Sequence, residues 1–349
     1  MIRLTMFPAV DGDCLLLEYG TDEPARAILV DGGRAATYGS LRPALEALAV
    51  SGGGLDLVVV THIDQDHILG LLGLIRDPQR PVAIGDVWFN GYDHLVASPL
   101  ETFGARDGEL LTTELLRQRI PWNAAFAGGP VEIGRPFSPL PDGASLTLLA
   151  PDRSLLEDLV PRWEQECRKH GLTPGADPEE LPPEGLEAFG TIDIDELAGE
   201  PFERDGSLPN RTSIAFLFDY DGVRILFTGD ADDPRLVKSV APLAAAEGGK
   251  LRLDALKVSH HGSRKNTSRD LLDLIDCRRF LISTSGARHH HPDPVCMARI
   301  IGYGGDGKEL VFNYRGRAAE WDVGAWKEEY GYSVAAPPAA DDGRVTIEW

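Results

Sequence analysis

Short apolar runs alternate along this chain with longer stretches in which apolar residues recur every three or four positions. The runs Ile2–Met6, Cys14–Tyr19 and Ala27–Val30 read as strands, and so do Leu57–Val60 and the stretch Ile84–Gly91 with its glycine end. Residues 39–50, 68–75 and 109–120 carry helical spacing. The segment 144–150 reads as a strand that closes a first half. Strand grammar then returns at 212–220 and 223–228, joined by the turn Asp221-Gly222, and again at 254–258 and 280–284. Helices are expected at 235–246, 268–276 and 297–303. A terminal hairpin is expected from 310–314 and 318–322 around Gly316.

The polar residues are not scattered evenly over this pattern. They gather where strands end. The run at 57–60 opens into Thr61-His62-Ile63-Asp64-Gln65-Asp66-His67, two imidazoles and two carboxylates on a strand-to-helix turn. Open α/β sheets place their sites at such strand ends. One polar residue there would be a helix cap. Four at this density suit metal ligation, because imidazole and carboxylate bind zinc and its neighbours. Other strand ends carry Asp31, Asp230, His260 with His261, and His291. Asp13 stands in the turn Asp11-Gly12-Asp13. Two half-sheets meeting along one edge, with helices outside, then form an α/β sandwich of αββα type around a shared metal cleft.

The segment 151–208 differs. It starts as helix and continues, from Thr173 to Pro209, rich in Pro, Gly and acids. It reads as a helical and irregular insertion, a lid or a linker, within one domain over 1–332. Residues 333–349 form a tail with a possible edge strand at Val345–Ile347.

The bulk numbers narrow the classes of function. No apolar run approaches the roughly 20 residues of a membrane span. The N-terminal residues read as a strand and lack the apolar core of a signal peptide, so a cytoplasmic protein without a membrane partner is expected. Four separated cysteines form no CxxC pair and suit reduced thiols. A net charge of −21 counts against avid, non-specific grip on duplex nucleic acid. It leaves room for an anionic substrate at a bound dication, and for a protein partner docking on the acidic surface.

Taken in order, these motifs resemble the metallo-β-lactamase fold, most closely the branch that includes the hydrolase domain of the DNA-uptake protein ComEC/Rec2. The resemblance rests on Asp11-Gly12-Asp13-Cys14 with Ile28–Gly33, His62-x-Asp64-x-Asp66-His67 and Asn210-x-Thr212-Ser213. It continues through Leu226–Asp230, Ser259-His260-His261-Gly262-Ser263, and Ser285-Gly286 with His291-Pro292. It implies a hydrolase with two divalent ions, zinc or manganese. His62 and Asp64 would hold one ion, Asp66 and His67 the second, Asp230 would bridge, and His260 or His261 would complete the second. Asp31 and Asp13 would support the ligands from behind. Two departures stand out. Asp64 replaces a histidine, and Asn210 stands where a further histidine is common; more oxygen donors shift preference from zinc towards manganese or magnesium.

The implied chemistry is attack by a water made acidic by the metals. Asp66 would orient it, and His291 would donate a proton or stabilise an oxyanion. Ser263, Arg264, Lys265 and Asn210 are candidate substrate contacts. The expected activity is that of a phosphodiesterase or nuclease acting on a nucleic acid or nucleotide. Ester, lactone or thioester hydrolysis is the alternative enzyme, and a subunit of a larger assembly, one linked to defence among the options, is the alternative from another class.

Overall fold

The computed structural model describes residues 1–21, 26–95, 106–137, 140–169, 192–341 and 343–349, with side chains of 93, 106 and 162–169 outside that description. The acid- and proline-rich stretch around 177–180 therefore lies outside the described residues.

The first half builds β1 (Ile2–Met6), β2 (Leu15–Tyr19), β3 (Arg26–Val30), α1 (Thr37–Val50), β4 (Gly54–Val59), α2 (Gln65–Arg76), β5 (Ile84–Trp88), α3 (Tyr92–Leu95) and α4 (Arg106–Gln118). Then come β6 (Ser145–Ala150), α5 (Arg153–Lys169), α6 (Ile194–Ala198), α7 (Leu208–Arg211), β7 (Ala215–Tyr220), β8 (Val223–Phe227) and α8 (Asp233–Ala246). The chain continues through β9 (Leu251–Leu253), β10 (Ala255–Lys257), α9 (Arg269–Asp273), β11 (Ile275–Cys277), β12 (Arg279–Ile282) and α10 (Pro294–Tyr303). It closes with β13 (Lys308–Phe312), α11 (Arg315–Trp321), α12 (Gly324–Tyr330), β14 (Tyr332–Ala335) and β15 (Val345–Glu348).

Two sheets carry the fold. One has six strands in the order β15-β1-β2-β3-β4-β5, and the other has seven in the order β14-β13-β12-β10-β8-β7-β6. Side chains alternate across each strand, so both faces of each sheet are apolar. In β2, Leu15 and Leu17 enter the core between the sheets, while Leu16 faces the outer layer. In β8, Ile225 and Phe227 face inward and Leu226 outward. The inner layer joins Leu4, Met6 and Leu57 to Phe216, Phe218 and Leu281. α1, α2 and α4 cover the first sheet, and α8, α9, α10 and α11 cover the second. The result is the αββα sandwich expected from the strand pattern.

Three expectations need correction. The strand expected at 144–150 as the close of the first half belongs to the second sheet, where β6 pairs antiparallel with β7 at the edge. Residues 318–322 are not a strand, because Ala318 and Trp321 are both buried at helical spacing in α11. The helix expected over 268–276 stops at Asp273, and β11 follows, paired with β9 in a separate small sheet. The tail strand β15 does pair, antiparallel to β1, at the edge of the first sheet.

Strands β3, β4 and β5 run parallel to one another, as do β8, β10, β12 and β13. Their C-terminal ends carry the polar residues, and they meet at one end of the sandwich. The backbone N–H of Ile214 donates to the Thr61 carbonyl at 2.9 Å, which ties the sheets together there. The turn between β1 and β2 packs over the same end. A Cβ on Gly12 would lie 1.7 Å from the Asp66 carbonyl oxygen, so only glycine permits this approach.

Beneath the site lies a buried ion pair between the layers. Asp13, just before β2, meets the ammonium of Lys257 on β10 at 2.7 Å, with both side chains 1% exposed. Burial opposes the Asp13 charge, but Lys257 and then His261 outweigh it and hold the carboxyl well below its usual range. A carboxyl depressed in this way adds stability above its unfolded value of about 3.9 and loses it as pH falls through the folded value. Lys257→Met should therefore destabilise by about 3–5 kcal/mol in chemical denaturation, because it strands the Asp13 charge. Adding Asp13→Asn should recover much of that loss and flatten the acid limb of stability below about pH 4. A single variant as stable as the wild type would contradict the pairing.

Candidate metal centre

The motif after β4 turns sharply into α2. Asp64 takes extended angles as the helix cap residue, while Asp66 and His67 sit in the first turn. His62 is thus left at the strand end, and the others project from the turn beside it. A further close approach seats this turn. A Cβ on Gly70 would lie 1.9 Å from the Gly32 carbonyl oxygen, so α2 lies directly against the β3 strand end.

Asp31 occupies that strand end with a left-handed φ of 57°, a conformation aspartate tolerates better than most residues. Its carboxylate accepts from the Thr61 backbone N–H at 2.8 Å and from the Thr61 hydroxyl at 2.7 Å. It also accepts from His67 Nδ1 at 2.8 Å. This bond fixes the tautomer and turns Nε2 into the cleft, the device by which carboxylates orient metal-binding imidazoles.

The other imidazoles are held in the same way. His62 Nδ1 donates to the Thr61 hydroxyl at 3.1 Å and lies 3.2 Å from the Ser213 hydroxyl. His261 Nδ1 donates to the Ser283 carbonyl at 3.0 Å. His260 Nδ1 donates to Asn266 Oδ1 at 3.0 Å and faces Asp205 Oδ2 at 3.2 Å. All four Nε2 atoms converge on one carboxylate, Asp230, just after β8. The distances are 3.8 Å from His62, 3.6 Å from His67, 3.6 Å from His260 and 3.8 Å from His261.

Two carboxylates of the motif complete the ring. Asp64 Oδ2 lies 3.6 Å from His62 Nε2. Asp66 Oδ2 lies 3.8 Å from His67 Nε2 and 3.7 Å from His261 Nε2. The groups His62/His67/Asp230, Asp66/His67/His261 and Asp13/Asp230/His261 each offer ligand atoms within 4.8 Å of one another.

These residues fit a divalent cation on their own chemistry. His67 and His261 point Nε2 at each other at 3.3 Å, with both Nδ1 protons already committed. Two lone pairs so placed repel unless a proton or a metal cation lies between them. Ligand bonds of about 2.0–2.1 Å in a tetrahedron put neighbouring donors about 3.3 Å apart. Buried His62 Nε2, Asp230 Oδ1 and Asp13 Oδ1 have no hydrogen-bond partner, and buried polar atoms left in that state are rare. The field agrees. Burial opposes charge on His67, yet Asp230, Asp31 and Asp66 outweigh it and raise its pKa well above the imidazole range. Burial likewise opposes the Asp230 charge, and His260, His67 and His261 outweigh it and keep that carboxyl well below its usual range. The centre of the cluster favours positive charge.

The candidate substrate contacts are placed differently from the ligands. Arg264 pairs with Glu200, and its backbone N–H donates to Asp293. Ser263 is buried and accepts from the Lys265 backbone N–H at 3.2 Å. Asn210 is buried and donates to Asp205 at 2.9 Å. Of the four, Lys265 alone is exposed. His291 stands at the rim, its ring centroid 5.4 Å from that of His260 and its Nδ1 3.7 Å from Asp293. Asp205 was not legible as a site residue. It lies in the acidic stretch read as lid or linker, and its one signal is its place five residues before Asn210.

The αββα fold with imidazoles and carboxylates gathered around Asp230 at its strand ends has the donor set of a divalent-metal centre of the hydrolase class. The sequence agrees with the structure: residues 8–286 match the metallo-beta-lactamase superfamily, and the chain belongs to that family. No curated protein matches. Solved structures similar to this chain include CmlA, a diiron beta-hydroxylase from Streptomyces venezuelae, at 14% identity and a TM-score of 0.43, covering 100% of this chain and 54% of CmlA. This chain thus spans about half the length of CmlA. The metallo-beta-lactamase fold protein YhfI from Bacillus subtilis is similar at 12% identity and a TM-score of 0.40, covering 99% of each chain. Zn(2+)-bound PqqB from Methylobacterium extorquens is similar at 13% identity and a TM-score of 0.39, covering 96% of this chain and 87% of that one. Among the described residues no helix is long and apolar enough to cross a membrane.

Metal binding should register as stability. After chelation, zinc or manganese at 100 times its Kd should raise unfolding free energy by about 2.7 kcal/mol. Asp230→Asn should abolish most of that gain while the fold survives. An equal metal-induced gain in this variant would remove Asp230 from the centre.

Proposed function

We propose that the protein is a metal-dependent phosphodiesterase acting on a nucleotide or a nucleic-acid strand. The observation that carries the reading is the convergence of orienting-group-held imidazoles on the buried Asp230 carboxylate. His62, Asp64 and Asp230 would hold one ion, and Asp66, His67, His261 and Asp230 the other. Bound ions would lower the pKa of water and polarise a phosphoryl oxygen.

The chain's own groups supply the rest. Asp66 is partly exposed on the cleft side, and its carboxylate is placed to accept a proton from, and so aim, the attacking water. Asp31 and Ser283 keep the His67 and His261 rings from rotating away. Burial holds His291 below the usual imidazole pKa, with Asp293 opposing and the neighbouring imidazoles adding to the effect. His291 is therefore neutral near pH 7, and it would steady the leaving oxygen by hydrogen bonding. Lys265 would reach an outer phosphate. Two features support phosphodiester over ester chemistry: an oxygen donor at Asp64, which suits manganese or magnesium, and the motif likeness to the DNA-uptake branch. The net charge of −21 favours a substrate held at the centre over one held along the surface.

The test is a panel of bis-p-nitrophenyl phosphate, cyclic nucleotides, single-stranded and duplex DNA and a lactone, each with Asp66→Ala beside the wild type. Phosphodiester turnover should appear with manganese or zinc and vanish in Asp66→Ala. His291→Ala should lose about 10²–10³-fold in kcat with metal content unchanged. Turnover of the lactone alone would overturn the phosphodiesterase reading.

A further inference from the structure

His260 has no role in the ligand assignment above, yet it is built like the residues that do. Its Nδ1 is anchored by a carboxylate and an amide oxygen, and its Nε2 reaches Asp230 as closely as His67 does. Resting on the metal-centre reading, we propose that His260 is a ligand of the first metal ion, alongside His62 and Asp64, with Asp205 as its orienting carboxylate.

The adjacent histidines reach different oxygens of Asp230 and have different neighbours. His261 approaches Oδ1, at 3.8 Å, and also lies against His67 and Asp66. His260 approaches Oδ2, at 3.6 Å, the oxygen that His62 approaches at 3.8 Å and His67 at 3.6 Å. His261 is committed to His67 and Asp66, which leaves His260 as the histidine of the pair for the His62 side. Backbone geometry makes this possible. His260 and His261 have left-handed φ values of 48° and 54°, a conformation uncommon for two successive residues with side chains. It sets their rings 75° apart with centroids separated by 6.0 Å. An ordinary backbone would send successive side chains in divergent directions.

The support behind His260 is as complete as that behind His67. Asp205 Oδ2 also accepts from Asn210 Nδ2 at 2.9 Å and from Asn266 Nδ2 at 3.2 Å. Asn266 in turn donates to the Asp230 backbone carbonyl at 3.2 Å, so Asp205, His260 and Asp230 form one braced unit. Asn210 stands behind the ring. Its Nδ2 lies 3.3 Å from His260 Nδ1, on the edge turned away from Asp230. Where a further histidine was expected as ligand, the chain has an asparagine that instead braces the carboxylate behind His260. The imidazole lost from that place is supplied by the tandem histidine.

The test counts ions and reads their surroundings. The chelated full chain is titrated with cobalt(II), bound metal is counted after gel filtration, and the visible ligand-field absorbance is recorded. His260→Gly removes the imidazole and suits the left-handed backbone, so the fold is kept; circular dichroism checks this. Wild type should hold two ions, and His260→Gly and His261→Ala one each, with different spectra. The double variant should hold none. Asp205→Asn should keep two ions but weaken one by roughly 10–100-fold. A double variant that retains an ion with the spectrum of His261→Ala would overturn the assignment of His260. Wild-type protein that takes up no ion would overturn the metal centre as well. Two ions in wild type without phosphodiester turnover would leave this proposal standing and remove only the substrate reading.

Discussion

Asp230 is a carboxylate buried where two apolar sheets meet, and it is faced by imidazoles in place of solvent. A carboxylate taken out of water is stable only when positive charge or strong donors replace its hydration. Here the neighbours are four nitrogen atoms whose partner nitrogens are already committed as donors. A cation between carboxylate and imidazoles satisfies both sets of groups at once. Much of the architecture serves that arrangement. Strands β4, β8 and β10 deliver ligands from both sheets, and the glycines at 12 and 70 let the surrounding loops close to contact distance.

The support is layered, and the layers have different physics. The sandwich itself is held by apolar burial on both faces of each sheet. The Asp13–Lys257 pair crosses between the layers, with both side chains buried from solvent. It sets a negative group behind His261 while its own charge is matched. Asp31 performs the orienting task for His67, and Asp205 for His260. Each of these carboxylates sits one shell away from the cleft, so its loss would loosen the ligands without removing any of them.

Much of this was legible in the sequence because buried parallel strands read as continuous apolar runs that end abruptly in polar residues. The density of His62, Asp64, Asp66 and His67 singled out the centre, and the recurrence of Asp230 and His260-His261 after later strands singled out its second half. The pattern could not say which sheet a strand joins. Leu146 and Leu148 are as apolar at the edge of the second sheet as they would be in the first, and only pairing with β7 decides. It also misassigned 318–322, where a five-residue window cannot separate a strand from a helix that buries Ala318 and Trp321. Asp205 stayed hidden because its neighbours are acidic and prolyl, and its function comes from a contact with His260 across 55 positions. The choice between His260 and His261 depends on two backbone angles that composition does not encode.

The central claim is that the strand-end cluster is a metal centre built around Asp230. The most direct test is a crystal structure of the protein grown with manganese or zinc, with anomalous difference maps recorded above and below the absorption edge of that metal. The account predicts two peaks, one on each side of the Asp230 carboxylate, the first beside His62 and the second between His67 and His261. Maps that are empty at Asp230 in a well-ordered crystal, or that place the metal elsewhere on the chain, would contradict it.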